Sequence, residues 1–350
     1  MNVLGKLLAA LLVAATLLLP VQAAAEETYT PGFQTLGLWE PEQNLRMDTA
    51  VWYPARRAPR TLRYGDWEFR AARRATPVPG RYPLILLSHD SGGSRFSLHL
   101  LAGELARAGF VVAAPTHRMD NMNLIANPFS LPQLRDRVRE LRALPDILAQ
   151  TAPFADIIDF DRIGVIGIGP GGAAALLLAG GRLDNAGWEH YCFRAGPRDV
   201  YCSAWAAPRM DAMAKAIARD ESWYDPRIGA AAVVAPAYGM LFTPGSLQDV
   251  RTPILLLRAD LDRINRAPHH ADAIFKALPQ VPDYVILQHT DNASLMSPCT
   301  PELAALIPDM CTPLPEADQE EAQRQLSEHT IRFMTAHLGA ALPPSEGAPQ

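Results

Sequence analysis

The sequence predicts an α/β fold with a mostly parallel central sheet flanked by helices on both faces. Segments of strand length alternate with segments of helical spacing along most of the chain. Several strand segments are apolar throughout, which is typical of parallel strands that are covered on both faces. With 350 residues, 49% of them hydrophobic, the chain is long enough for one large domain of this class.

The first half of the chain carries this alternation without interruption. Two strands are predicted, first at RMDTAVWYPA and then at YPLILLSHD. They are followed by the helix SLHLLAGELARAG, the buried strand FVVAAPTH, the amphipathic helix LPQLRDRVRELRALPDILAQ and the strand RIGVIG. The resulting βαβαβ order favours parallel strands with helices packed on both sides.

The alternation stops at about residues 182–227 and then resumes. The interruption contains Trp188, Trp205, Trp223 and two cysteines, so we expect an ordered, disulfide-closed cap inserted into the α/β domain. After it come the strands GAAAVVAPA and TPILLLRAD, the helix APHHADAIFKALP, the strand YVILQHT and the helix ADQEEAQRQLSEHTIRFMTAHLG.

The N-terminal segment, MNVLGKLLAALLVAATLLLPVQAAAEE, resembles a signal peptide with cleavage near Ala25. The alternative is an uncleaved membrane anchor, but the apolar run is short for a span and ends in alanines. We therefore predict export, to the periplasm or the medium, and no stable membrane span after cleavage. The expected organisation is a signal peptide at 1–25, one domain at 26–340 and a flexible tail at 341–350.

Charge and cysteine content narrow the possible partners and cofactors. The balance of 32 Lys and Arg against 37 Asp and Glu gives no clustered basic surface of the kind that binds nucleic acid. In an oxidising compartment the four cysteines can pair in three ways, of which Cys192–Cys202 with Cys299–Cys311 closes the shortest loops. No cysteine or histidine cluster has zinc-ligand spacing, so neither a metal nor another cofactor is predicted.

The turn in RIGVIGIGPGG admits two interpretations. Gly167, Gly169 and Gly172 fit the G-x-G-x-x-G pattern of dinucleotide-binding sites. That site also needs backbone N–H groups around the pyrophosphate and an acidic residue about twenty positions later, after a second strand. Pro170 has no N–H, and the corresponding segment, NAGWEHYC, is not an apolar strand. A nucleotide site is therefore not favoured.

Taken in order, seven segments resemble the α/β-hydrolase fold, in particular its dienelactone hydrolase and platelet-activating-factor acetylhydrolase-like group. They are VWYPA, YPLILLSHDSGGSR, FVVAAPTHRMDN, DRIGVIGIGPGG, APAYG, TPILLLRADLDR and SPCTPELAALIPDMC. The resemblance covers nearly the whole chain after the signal peptide. It implies serine-type ester hydrolysis, with a G-H-S-x-G-G turn that presents the nucleophile on a sharp bend between strand and helix.

Three positions of this implied machinery carry unsuitable residues. Gly169 stands at the serine position, so the turn has no attacking oxygen, and Pro170 lacks the N–H that would contribute to the oxyanion hole. Anchored on SPC, the segment DNASLMSPC places Asn292 where the resemblance implies histidine, and an amide accepts no proton near neutral pH. The implied acid, Asp262 in LLLRADLDR, is present and is expected to hold a loop.

The loop SHDSGGSR resembles the oxyanion-side loop of this group, with Asp90 where glycine is common, followed by Ser91 and Gly92. Ser91 is the best displaced nucleophile. His89 and His289 are the candidate displaced bases, although residues as close in sequence as His89 and Ser91 rarely converge on one reacting point.

The following loop, PTHRMDN, contributes two further expectations. His117 resembles a loop histidine near the pocket mouth with a positioning role. Arg118 and Asp120 are expected to form an ion pair at the rim, where such pairs stabilise little.

Together these residues favour an exported pseudoenzyme over an enzyme. The cleft between Asp90, Pro170 and Asn292 is expected to bind a small ester-, lipid- or acyl-like ligand, or a protein partner that the sequence does not specify. The alternative is an active carboxylic-ester hydrolase, an esterase or lactonase, that uses a displaced nucleophile such as Ser91. Scaffolding without a small ligand is a third possibility.

Overall fold

The computed structural model describes residues 29–40, 44–218 and 221–340. Most of these residues belong to one large sheet with helices on both faces, as predicted. The predicted signal peptide at 1–25 and the predicted tail at 341–350 lie outside the described residues.

Twelve strands are defined within the described ranges. They are β1 (Thr30–Glu40), β2 (Leu45–Ala55), β3 (Arg60–Tyr64), β4 (Trp67–Arg73), β5 (Tyr82–Ser88), β6 (Val111–Pro115), β7 (Asp120–Asn121), β8 (Leu124–Ile125), β9 (Ile158–Ile168), β10 (Ile228–Val234), β11 (Ile254–Ala259) and β12 (Asp283–Leu287). Ten of them form the main sheet in the order β12-β11-β10-β9-β5-β6-β2-β1-β4-β3, and β7 pairs with β8.

The helices cover both faces of this sheet. They are α1 (His99–Arg107), α2 (Leu131–Leu148), α3 (Phe154–Ile157), α4 (Pro170–Leu178), α5 (Tyr191–Ala195), α6 (Ala207–Ala216), α7 (Pro244–Leu247), α8 (Ala271–Ala277), α9 (Pro301–Leu306), α10 (Pro308–Cys311) and α11 (Gln319–Leu338).

Six neighbouring strands, from β6 to β12 in the sheet order, run parallel. Their carboxyl ends therefore meet at one edge of the sheet, which is where ligands bind in open α/β folds. The loops that follow β5, β9, β11 and β12 at this edge contain Asp90, Gly169, Asp262 and Asn292, respectively. The sheet topology thus explains how these four residues, which are distant in sequence, lie at the same edge of the sheet.

The sheet separates two hydrophobic cores. Along β5, Leu84 and Leu86 belong to the core on the side of α2 and α4. Ile85 and Leu87, which alternate with them, belong to the core on the side of α1 and α11. Because successive strand side chains point to opposite faces, a strand buried on both sides must be apolar at every position, which explains the continuous apolar pattern.

The antiparallel part of the sheet contains a strand that the sequence pattern did not reveal. β1 pairs with β2 along eleven positions, although its sequence includes Pro31, Gly32 and Gly37, all of which weaken a strand pattern. These glycines are required by packing: a Cβ at Gly32 would overlap the ring of Tyr53, and one at Gly37 would press on Arg46. β3 and β4 complete this edge.

The predicted interruption at 182–227 forms a cap between α4 and β10. Its Cys192–Cys202 disulfide closes a loop with a sequence separation of 10, and Cys299–Cys311 closes a second local loop, so the predicted pairing is confirmed. Tyr191 and Tyr201 of the cap are buried against the core of the domain. In the ranges that the structure describes, no helix has both the length and the apolar character needed to cross a membrane.

Gly167, near the end of β9, allows the backbone of the following turn to pack closely against the strand. A Cβ at this position would overlap the backbone carbonyl of Gly171, which cannot move aside as a flexible side chain can. We expect Gly167→Ala to lower the free energy of unfolding in urea by about 1–3 kcal/mol, the usual cost of overpacking.

Gly103 in α1 provides the matched control, because its Cβ would lie in ordinary contact with the end of Arg107. Gly103→Ala should raise the free energy of unfolding by about 0.5–1 kcal/mol, since alanine is the better helix former. Equal effects of the two substitutions would contradict the close approach at Gly167.

Candidate active site at the carboxyl edge of the sheet

A cleft of about 240 Å³ opens at the carboxyl edge of the parallel strands, beneath the cap. Its lining is mainly apolar and includes Leu98, Phe129, Ile168, Tyr201, Tyr238, Ile264, Leu295, Met296 and Met310. Asp90, Pro170 and Asn292, which the sequence analysis placed around a cleft, all contribute to this lining. The cleft is therefore the candidate functional site.

The turn between β9 and α4 has the bent backbone of a nucleophile elbow but lacks the groups that an elbow contributes to catalysis. Gly169 has φ 57° and ψ −122°, a conformation that costs a residue with a Cβ about 1–3 kcal/mol. Pro170 begins α4, a position at which its fixed φ is favourable and its missing N–H is not needed by the helix. The sharp bend is thus retained, while the attacking oxygen and the amide hydrogen are both absent.

The side chain of Asp90 fills the space in which a nucleophile at position 169 would lie. A Cβ built on Gly169 would overlap the Asp90 carboxyl group, with Oδ1 as the nearest atom. Asp90 Oδ1 accepts a hydrogen bond from the backbone N–H of Ser91 (2.7 Å), and Asp90 Oδ2 accepts one from Asn292 Nδ2 (2.8 Å). Burial raises the pKa of Asp90, although these two hydrogen bonds oppose the shift.

Asp262, at the position of the implied catalytic acid, holds its own loop. Its Oδ1 accepts hydrogen bonds from the backbone N–H groups of Ile264 (2.8 Å) and Asn265 (2.9 Å). Its Oδ2 is buried and has no hydrogen-bond partner among the described residues, while the amide of Asn292 donates to Asp90. Burial raises the pKa of Asp262 to about 6.

Ser91 and His89 do not form a displaced catalytic pair. The hydroxyl of Ser91 donates to Asp120 Oδ1 (2.8 Å), which also accepts the N–H of Gly92 (3.0 Å). His89 Nε2 accepts the backbone N–H of His117 (3.1 Å), so Nδ1 carries the proton and donates to the carbonyl of Asp90 (2.6 Å). Both ring nitrogens of the buried His89 are therefore occupied.

His289, the other candidate base, lies at the surface after β12 and does not line the cleft. Its backbone N–H donates to Asp260 Oδ2 (3.0 Å), and its carbonyl accepts the N–H of Asp318 (2.8 Å). Its backbone is thus fixed away from Ser91, and the structure brings no described histidine into contact with the Ser91 hydroxyl.

A buried ionic network supports the loop that carries Asp90. Arg137 Nη2 binds Asp120 Oδ2 (2.7 Å), while Arg137 Nη1 donates to the carbonyl of His89 and to Ser88 Oγ (3.1 Å). The predicted pair between Arg118 and Asp120 is therefore wrong, because Asp120 is buried with Arg137. Arg118 instead binds Asp136 at the surface.

His117 is buried within this network, so its predicted place near the pocket mouth is wrong. Its Nδ1 contacts Glu140 Oε2 (2.6 Å) and its Nε2 contacts Ser88 Oγ (2.8 Å). Burial lowers the pKa of His117 well below its usual range and raises that of Glu140 to about 7. Ser88, His117 and Glu140 thus share the hydrogen-bond order of a catalytic triad, but none of the three lines the cleft.

Sequence reasoning missed Arg137 and Glu140, both on α2. They are three residues apart and so lie on the same side of the helix, the side that also carries the buried Leu134 and Leu141. An opposite-charge pair on the apolar stripe of an amphipathic helix was therefore an available signal, since buried charges require partners.

We expect Gly169→Ser to destabilise the chain both through its backbone conformation and through Asp90. The unfavourable φ should cost about 1–3 kcal/mol, and the overlap with the carboxyl group a further amount of about 1–3 kcal/mol. In an Asp90→Gly background the second cost should disappear, so a double-mutant cycle in urea should give a coupling of at least about 1 kcal/mol. Additive effects would show that Asp90 does not fill the space at position 169.

We expect Asp262→Asn to change the dependence of stability on pH. The carboxyl group has a folded-state pKa of about 6 against an ordinary value of 3.8, so its protonation stabilises the folded state below about pH 4. That contribution is lost as the pH rises towards 6, by up to about 3 kcal/mol.

Asparagine retains an oxygen for the two backbone N–H groups but does not titrate. The free energy of unfolding of Asp262→Asn relative to wild type should therefore rise between pH 4 and pH 7 in urea denaturation. Titrations common to both proteins, such as that of Glu140, cancel in this difference. Parallel pH curves for the two proteins would contradict the raised pKa.

Comparisons with known proteins agree with this geometry. Residues 61–137 match the family model of platelet-activating factor acetylhydrolase, isoform II. The matched range contains Asp90, Asp120 and Arg137 but ends before Gly169. No curated protein gives a significant match to the chain.

Among solved structures, the ferulic acid esterase from Streptomyces cinnamoneus is similar to this chain. The two share 18% sequence identity with a TM-score of 0.58, and the match covers 93% of this chain and 95% of that one. At this identity the likeness concerns the fold. This chain therefore has the fold of α/β-hydrolases, and within residues 61–137 it is similar to the platelet-activating factor acetylhydrolase family.

Proposed function

We propose that this chain is a non-hydrolytic member of its group that binds a small ester-, lipid- or acyl-like molecule in the cleft. The observation that carries the proposal is the position of the Asp90 carboxyl group. It lies against Gly169 and is held by the N–H of Ser91 and by Asn292.

Three features of this arrangement support the proposal that the chain does not perform serine-type acyl transfer. Gly169 supplies no nucleophile, and its space is taken by Asp90. An oxyanion needs preorganised amide donors, but Pro170 has no N–H and the N–H of Ser91 is already donated to a carboxyl oxygen. Asn292 supplies no base, and its amide is committed to the same carboxyl group.

Ser91 does not restore the missing nucleophile. The group that receives its hydrogen bond, Asp120, is buried and ion-paired with Arg137. Although burial alone would raise it, the pKa of Asp120 is lowered by Arg137 and by the hydrogen bonds of Gly92 and Ser91. A carboxylate stabilised in this way is a poor acceptor for the proton of a serine hydroxyl.

The cleft itself supports a binding function. Its lining is mainly apolar and includes a few polar groups, which is typical of sites that bind small molecules. Tyr201 of the cap donates a hydrogen bond to Asn265 Oδ1 (2.7 Å), and Asn265 in turn binds Asp262 through its backbone N–H. These contacts fix the cap over the cleft. The two disulfides also support the proposal that the chain acts outside the cytoplasm.

Incubation of the purified chain with p-nitrophenyl acetate and with a fluorophosphonate probe tests the proposal. We expect no turnover above the spontaneous rate in buffer and no covalent labelling, and Ser91→Ala should behave as wild type does. Labelling of wild type that disappears in Ser91→Ala would overturn the proposal in favour of an active esterase.

A rebuilt chain provides the positive control for this assay. The combination of Asp90→Gly, Gly169→Ser, Pro170→Ala and Asn292→His restores the nucleophile, the amide donors and the base on an elbow whose backbone is already bent. We expect this variant to be labelled by the probe at a rate at least about a hundredfold above wild type, since loss of one oxyanion donor alone costs about that factor.

A further inference from the structure

The cleft combines a mainly apolar lining with the carboxyl group of Asp90. Ile168, Tyr238 and Leu295 belong to the walls, and Asp90 presents its carboxyl group among them. Among the described residues that line the cleft there is no Lys, Arg or His, and the second acidic residue, Asp309, is exposed at the rim. The charged side chains that a bound molecule would contact in this lining are therefore acidic.

The carboxyl group of Asp90 has acceptor capacity that no donor among the described residues uses. Each of its oxygens accepts one hydrogen bond from the groups described above. An ionised carboxylate offers about four acceptor sites, so about two remain. Burial also raises the pKa of Asp90, which indicates that its surroundings compensate the charge incompletely.

Arg137, the cation that acts on Asp90, does not fully compensate the negative charge of its carboxyl group. Arg137 acts electrostatically on Asp90, but its hydrogen bonds go to Asp120, Ser88 and the carbonyl of His89. The carboxyl groups of Asp120 and Asp262 also interact electrostatically with that of Asp90. Asp90 thus has one guanidinium and two further carboxyl groups in its electrostatic surroundings, and the apolar lining of the cleft focuses the resulting negative potential.

Building on the proposed binding function, we infer that the ligand of this cleft is an amphipathic amine. Its ammonium group donates hydrogen bonds to the free acceptor sites of Asp90, and its apolar body packs against the walls. A ligand with a carboxylate or phosphate at this position would bring a second anion against Asp90 without any cation in the lining, which is unfavourable in a site shielded from water.

Calorimetric titration with three ligands of one shape tests this inference at neutral pH. The ligands are 3-phenylpropan-1-amine, 3-phenylpropan-1-ol and 3-phenylpropanoate, which are respectively cationic, neutral and anionic. We expect the amine to bind the wild-type chain about ten- to a hundredfold more tightly than the alcohol, since hydrogen bonds between charged groups are the stronger ones. The carboxylate should bind most weakly.

Two matched variants locate the effect. Asp90→Asn should reduce the preference for the amine over the alcohol to within about threefold, because it removes the charge at nearly constant volume. Asp309→Asn removes the rim charge and should leave the preference unchanged. Melting temperatures of both variants verify that they are folded.

The outcomes separate this inference from the proposed function. If the alcohol binds and the amine binds no better, or if the carboxylate binds best, the inference fails while the binding function stands. If none of the three ligands binds, the inference fails, and the binding function fails as well only if the ester of the same shape, ethyl 3-phenylpropanoate, does not bind either. The comparison of ligands on the wild-type chain decides the inference even if Asp90→Asn does not fold. Loss of the preference in Asp309→Asn alone would also overturn it.

Discussion

The carboxyl group of Asp90 is the constraint on which the rest of the site depends. It occupies the space beside Gly169, accepts the N–H of Ser91 and holds the amide of Asn292. The residue types at 90, 169 and 292 are therefore linked through one side chain. With aspartate at 90, a Cβ at 169 would have to displace the carboxyl group, and a donor such as the asparagine amide is the suitable partner at 292.

The loop that carries Asp90 is held from behind by buried charges. Arg137 and Asp120 are each about 1% exposed, so both have given up nearly all of their hydration. Such a pair contributes little net stability compared with an apolar replacement, but removal of one partner is costly, because it leaves a buried charge without compensation. The pair therefore fixes the backbone of the loop more than it stabilises the fold as a whole.

The sequence was sufficient for most of the fold and for the prediction that Asp90, Pro170 and Asn292 meet at one cleft. The parallel strands were predictable because strands covered on both faces are apolar at every position, whereas β1 was hidden by glycines whose reason is the ring of Tyr53 and the side chain of Arg46. Gly169, Pro170 and Asn292 were found because motifs fix their places relative to strands.

What the sequence could not give was the contact between Asp90 and Gly169. It depends on β5 and β9 being neighbours in the sheet, so that the loop after one strand reaches the turn after the other. The burial of Arg137 and Glu140 was missed for a related reason, since charged residues on an amphipathic helix are ordinarily assigned to its solvated side. In both cases the role of the residue depends on which other segments pack against it in the folded chain.

The buried trio of Ser88, His117 and Glu140 bears on how hydrolases are recognised from coordinates. Hydroxyl, imidazole and carboxylate follow one another at hydrogen-bonding distances, yet the serine is wholly enclosed and its oxygen also receives a guanidinium N–H. A geometric template that scores only these separations would assign esterase chemistry to the inside of this protein. Whether the carbonyl group of a substrate can reach the serine hydroxyl is a separate criterion. In this protein that criterion distinguishes the buried trio from a working catalytic triad.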